Sequence, residues 1–135
     1  MNASLIALSG LQASATRLGV SASNVANANT AGATAKGAAS RGGASSTAYR
    51  PLAVDQTTVP GYGVAANVTA SGAPPQPVYA PESLLADSDG MIDLPDVDPV
   101  EEAMAQIRAV TAYRASLSVM RTSDEMDRAL LDSRF

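Results

Sequence analysis

The strongest constraint on this chain is a seven-residue rhythm near its start. Leu8, Leu11, Ala15, Leu18, Ala22 and Val25 follow a 3-4-3-4-3 spacing, and Asn29 occupies the next position of the series. One face of an α-helix recurs at that interval, so residues 1–29 read as a single helix, its stripe widened by Leu5 and Ile6. The stripe narrows to alanine at 15 and 22, which lets another helix approach closely. Gly10 and Gly19 lie inside the pattern and cost about 1 kcal/mol each relative to alanine. A helix so rich in serine, glycine and asparagine is marginal in isolation. It needs a partner.

A second helix announces itself at the other end. Asp98-Pro99-Val100-Glu101 supplies an acidic N-cap, a proline at the first helical position and a glutamate three residues after the cap. Val100, Met104, Ile107, Val110, Leu117, Met120 and Leu131 give residues 98–135 a broad apolar stripe. Arg114, Arg121 and Arg128 recur every seven residues, and Arg121–Glu125, Asp124–Arg128 and Arg128–Asp132 are candidate i,i+4 ion pairs. The expected fold is therefore mainly α with a small β element, the terminal helices paired as an antiparallel coiled coil.

The middle of the chain is different. Residues 30–48 consist almost wholly of Ala, Gly, Ser and Thr with Lys36 and Arg41, and predict a flexible linker. Residues 49–97 read as a small β and extended region. Val54–Val59 and Val64–Thr69 flank Pro60-Gly61-Tyr62-Gly63, the pattern of a β-hairpin, and Ala73-Pro74-Pro75-Gln76-Pro77 is an extended connector.

Composition limits what these parts can do alone. Alanine accounts for 27 of the 135 residues, while Leu, Ile, Val and Phe together make 26, so the chain has a thin core of its own. The net charge is −4, split into +3 over residues 1–81 and −7 over residues 82–135. No dense basic patch with interleaved aromatics marks a nucleic-acid binder. No run of 18 apolar residues predicts a membrane span. The first basic residue, Arg17, follows the apolar run rather than preceding it, so a cleaved secretory signal is not expected.

Catalytic chemistry finds little to stand on. There is no cysteine and no histidine, which removes thiolate sites and the commonest general base and metal ligand. Asp87-Ser88-Asp89-Gly90 invites a calcium reading, but its glycine is fourth rather than sixth and the twelfth position holds Asp98 instead of glutamate. An Asp-Gly turn leading into Met91–Leu94 is preferred. The serines have no evident activating base. The expectation is a protein that is not an enzyme and needs neither metal nor cofactor.

The remaining puzzle is Ser23-Asn24-Val25-Ala26-Asn27-Ala28-Asn29-Thr30. Asn29 with Gly32 suits a helix C-terminus, where asparagine tolerates the left-handed conformation. That leaves Asn24 and Asn27, whose amides could bond to a neighbouring helix and fix its register. This octapeptide, some two dozen residues into an amphipathic N-terminal helix, resembles the signature of bacterial flagellar rod and hook (axial) proteins. Tyr49-Arg50, Val59-Pro60-Gly61-Tyr62-Gly63-Val64, Pro77-Val78-Tyr79, Asp89–Asp98, Glu101–Met104 and Ala112–Ala115 extend the resemblance over nearly the whole chain outside residues 31–48. Ala31 stands where many axial proteins have proline.

The resemblance implies a structural subunit of the basal-body rod that assembles helically with copies of itself and other rod proteins, transmitting torque from motor to hook. It also implies passage through the flagellar type III export apparatus without a cleaved signal, and a periplasmic location. The expected partner-contact residues are Leu8, Leu11, Leu18, Asn24, Val25, Asn27, Met104, Ile107, Val110 and Leu117. The alternative from another class is a small secreted acidic binding module using the 87–98 loop.

Overall fold

A computed structural model describes residues 3–40 and 47–133. In chain order it contains α1 (Ala3–Asn27), β1 (Gly32–Ala33), α2 (Ala35–Ser40), β2 (Leu52–Val59), β3 (Gly63–Ala70), β4 (Gln76–Tyr79), β5 (Met91–Leu94) and α3 (Pro99–Asp132). The chain is mainly helical with antiparallel sheet, and it divides into two compact units. Among the described residues, no helix is long and apolar enough to cross a membrane.

One unit takes the chain up to Ser21, Val54–Thr69 and the chain from Ala103 onward. Here α1 and α3 touch through small residues, in opposite order along the two helices. Ser4 Oγ lies 3.0 Å from Ser123 Oγ, and a Cβ placed on Gly10 would stand 2.6 Å from Ser116 Oγ. Strands β2 and β3 form the expected two-stranded hairpin, with Tyr62 N donating to Val59 O at 3.0 Å across the turn. Gly61 and Gly63 have φ of 80° and 98°, the left-handed region that glycine enters without a Cβ penalty. The hairpin is anchored on α1 by one hydroxyl: Val64 N donates to Ser9 Oγ at 3.1 Å while Ser9 Oγ donates to Ile6 O at 2.7 Å. Gly63 sits so close to Ser9 and the Ile6 backbone that a side chain there has no room.

The other unit takes residues Ala22–Ala53 and Ala70–Glu102. Its sheet has the order β1-β5-β4, antiparallel throughout, with Ala33 opposite Ile92 and Val78 opposite Ile92 on the other side. The core is small: Ile92 is its one bulky buried aliphatic, beside Ala33, Ala48, Pro51 and Pro95. The turn into β5 is the expected Asp-Gly turn. Gly90 has φ of 75°, and Asp87 Oδ1 accepts from Asp89 N at 2.9 Å and Met91 N at 3.0 Å.

Three sequence expectations need revision. The stretch 30–48 is not uniformly linker: it carries β1, which gains a partner strand in β5, and α2, which Thr34 caps through Gly37 N→Oγ1 at 3.1 Å. The remainder of that linker expectation, residues 41–46, lies outside the described residues. α1 stops at Asn27 rather than Asn29, and no described non-glycine residue has positive φ, so no left-handed asparagine ends it. Thr30 N donates to Asn27 O and Ala31 N to Asn29 O, both at 2.9 Å, closing the helix by tight turns instead. Lastly, α3 begins as expected, with Asp98 Oδ1 accepting from Val100 N at 2.7 Å, yet the Arg121–Glu125, Asp124–Arg128 and Arg128–Asp132 pairs are not closed. Among the described residues the ion pair is Lys36–Asp89. Exposed pairs of that kind gain too little to hold two long side chains in one geometry.

Candidate assembly surface

The residues expected to mediate contacts separate into two groups with opposite environments. Along α1 the buried positions are Ala7, Leu11, Ala13, Ser14, Ser21 and Asn24. The face turned inward is thus one residue out of step with the stripe read from the sequence, and it is made of small and polar side chains. Leu8, Leu18 and Val25 point outward and are 42%, 38% and 46% exposed. On α3 the pattern repeats. Ala109 and Ser123 are buried, whereas Met104 and Ile107 are exposed. Val110 and Leu117 are half-buried and, with Leu18 and Tyr113, line an apolar cavity of about 370 Å³. Of the eight apolar residues expected to form the seam, Leu11 alone is buried. The reason is steric: a helix pair that meets at Gly10 and Ser116 is too close to hold leucines between its axes.

Asn24, an expected partner-contact residue, spends its amide within the chain. It is 3% exposed, and its amide is satisfied on every side within the chain. Nδ2 donates to Leu52 O at 2.9 Å and to Glu102 Oε1 at 2.6 Å. Oδ1 accepts from Leu52 N at 2.8 Å and from Tyr49 OH at 2.9 Å. A carboxamide offers two N–H donors and two acceptor lone pairs, so nothing remains for an outside partner. Asn27 is half-buried at the end of α1; its Nδ2 donates to Ser23 O at 2.9 Å and its Oδ1 accepts from Thr30 Oγ1. These bonds tie it to the last turn of the helix.

The rest of the motif holds the same returning segment. Tyr49 N donates to Thr30 O at 3.1 Å, Tyr49 OH lies 3.3 Å from Ser23 Oγ, and Gly32 packs directly on the Thr47–Ala48 backbone. A Cβ at position 32 would collide with backbone that cannot step aside. Ser23, Asn24, Thr30 and Gly32 therefore clamp residues 47–52. Tyr49, Leu52 and Glu102 were not singled out as partners in the sequence. No local signal links them, because they meet Asn24 from 25, 28 and 78 residues away.

Electrostatics give no sign of catalytic chemistry. Asp87 is held below the usual carboxylate range by hydrogen bonds from Met91 N and from Thr34 Oγ1. Lys36 is raised by its hydrogen bond and charge attraction to Asp89. The Asp87 bonds are part-buried, and the Lys36–Asp89 contact is exposed. Among the described residues no cluster of three or more acids could hold a metal ion.

Two family models match the chain. Residues 5–34 match the flagella basal body rod protein model, and residues 88–133 match that for the C-terminal part of flagellar basal body rod FlgEFG proteins. The first match contains the asparagine clamp and the second contains β5 and α3. The flagellar basal-body rod protein FlgC of Salmonella typhimurium is 35% identical over 121 residues, covering 90% of this chain and 87% of its own length. FlgC of Escherichia coli O157:H7 shows the same identity and coverage. The chain belongs to the bacterial flagellar basal-body rod protein family, on the side of the FlgC rod proteins.

Proposed function

We propose that this chain is a structural subunit of the flagellar basal-body rod, whose outward apolar residues are covered by neighbouring rod subunits. The observation that carries this reading is an inversion of ordinary burial. Within one chain the helices bury alanine, serine and asparagine, while Leu5, Ile6, Leu8, Leu18, Met104 and Ile107 stay more than a third exposed. Large apolar stripes left in water mark interaction surfaces. Covering them by further copies and by other rod proteins supplies the core that this composition cannot.

In the rod, the terminal regions act as an antiparallel coiled coil, residues 1–29 with 98–135, joined by residues 30–48 and the β-containing region. The opposed order of the Ser4–Ser123 and Gly10–Ser116 contacts supports that pairing. Leu8, Leu11, Leu18, Val25, Met104, Ile107, Val110 and Leu117 would serve it in two layers, Leu11 inside the subunit and the exposed residues between subunits. Torque passes through many such interfaces, and no residue performs chemistry. The subunit reaches the periplasmic rod through the flagellar type III export apparatus. The acidic binding-module alternative gains nothing from the comparisons.

The test is a strain carrying Leu8→Asp and Leu18→Asp. Basal bodies examined by electron microscopy should stop short of a complete rod while the purified variant remains folded. Normal basal bodies would reject the proposal.

A further inference from the structure

The clamp at Asn24 joins three stretches that are far apart in sequence: the end of α1, the strap of residues 47–52 and the first turn of α3. We propose that the Asn24 carboxamide is a coupling device, seating the strap firmly only while Glu102 is docked, so that displacement of either loosens the other. The coupling lies within one chain and does not depend on the rod reading.

The geometry makes the amide indivisible. Leu52 grips it from both sides, donating its N–H to Oδ1 at 2.8 Å and accepting at its carbonyl from Nδ2 at 2.9 Å. That pair fixes the amide plane and leaves one N–H and one lone pair. Glu102 Oε1 takes the first and Tyr49 OH supplies the second. Were Glu102 to leave, one N–H of a group only 3% exposed would lose its acceptor. A buried donor left without a partner costs more than a hydrogen bond normally contributes. The amide can recover only by turning toward another acceptor, and turning breaks the paired contact with Leu52.

The strap is sensitive to that loss because little apolar area holds it. Ala48 and Pro51 are its buried residues, and its other ties are the backbone hydrogen bonds Tyr49 N to Thr30 O and Ser71 N to Pro51 O, the Tyr49–Ser23 hydroxyl contact and the close approach of Gly32. Because coupling free energies are reciprocal, release of Tyr49 must weaken the docking of α3's first turn to the same degree. The Glu102 amide, which donates to Asp98 O at 3.0 Å, reports that end.

Amide hydrogen exchange by NMR on the full chain tests this. In Glu102→Ala, exchange at the Leu52 and Tyr49 amides should accelerate by about tenfold, the scale of one lost buried hydrogen bond. Glu102→Gln keeps an oxygen acceptor and should restore protection. Tyr49→Phe, which removes one hydroxyl and no packing, should accelerate the Glu102 amide through the Asn24 carboxamide that both residues bond. Unchanged Leu52 exchange in Glu102→Ala, equal acceleration in the alanine and glutamine variants, or uniform acceleration extending to Ile92 would overturn the proposal. If Glu102→Ala does not fold, an unaffected Glu102 amide in Tyr49→Phe overturns it alone.

Discussion

Asn24 Nδ2 stands 2.6 Å from Glu102 Oε1, so a residue from the asparagine signature of one terminal helix is bonded to the first turn of the other. In this chain the signature is first a device for holding a single subunit together.

Asn24→Ala should therefore damage the free subunit. The substitution removes the partner of the Leu52 amide and carbonyl and takes one bond each from Tyr49 and Glu102, and the expected cost is about 1–3 kcal/mol. Asn27→Ala, which loses a half-buried bond to the Ser23 carbonyl and an exposed one from Thr30 Oγ1, should cost about 1 kcal/mol, less than Asn24→Ala. Urea unfolding of the two variants, followed by circular dichroism, gives the comparison. Equal midpoints would show that the clamp does not stabilise the monomer.

Legibility in the sequence followed the range of the cause. The Asp98 cap, the Pro-Gly hairpin turn and the Asp-Gly turn at 89–90 are fixed by residues within a few positions, and each was readable. β1 is two residues long and exists because β5, some sixty residues later, pairs with it; no periodicity could announce it. α2 hid inside an Ala-Gly-Ser tract because its cap, Thr34, looks like any other linker threonine. The inward face of α1 was harder to read, because pattern reasoning turns leucines inward, and in this chain alanines, serines and Asn24 share the inward positions with Leu11 while Leu8 and Leu18 are exposed. Ser14 and Ser21 are both buried.

Two leucines on α1 separate folding from assembly. Leu11 is buried, so Leu11→Ala should cost about 2–4 kcal/mol in the free subunit. Leu18 is exposed, and Leu18→Asp should change monomer stability by no more than about 0.5 kcal/mol while blocking incorporation into basal bodies. Thermal denaturation paired with a motility assay reads both effects. A Leu18→Asp variant that unfolds as readily as Leu11→Ala would place Leu18 in the subunit core.

Glycines give a sharper contrast. A Cβ on Gly19 meets nothing within 4 Å, so Gly19→Ala should stabilise α1 by about 0.5–1 kcal/mol through helix propensity. At Gly32 the new Cβ would drive into the backbone of Thr47 and Ala48, and Gly32→Ala should release the strap and destabilise the subunit. Proteolysis rates distinguish them: Gly32→Ala should be cut faster near residue 48 and Gly19→Ala should not. Matching rates would mean the strap does not need this close approach.

The Asp87 turn should confer a dependence on acid pH. Hydrogen bonds from Met91 N and Thr34 Oγ1 favour its charged form, so its folded pKa lies below the ordinary 3.8. A depressed carboxylate contributes stability above its unfolded pKa and loses it as pH falls through the folded value, so the turn should loosen only below pH 3.8. Lys36 behaves oppositely. Its pKa is raised above 10.5 by Asp89, and its contribution is present below that pH and fades as pH rises through the higher folded value. Between those limits neither group changes charge, and the turn should be insensitive to pH. NMR shifts of the Met91 and Asp89 amides across an acid titration read the first limb, with Asp87→Asn removing it. A transition near neutral pH, or one that survives Asp87→Asn, would assign the acid sensitivity to other carboxylates.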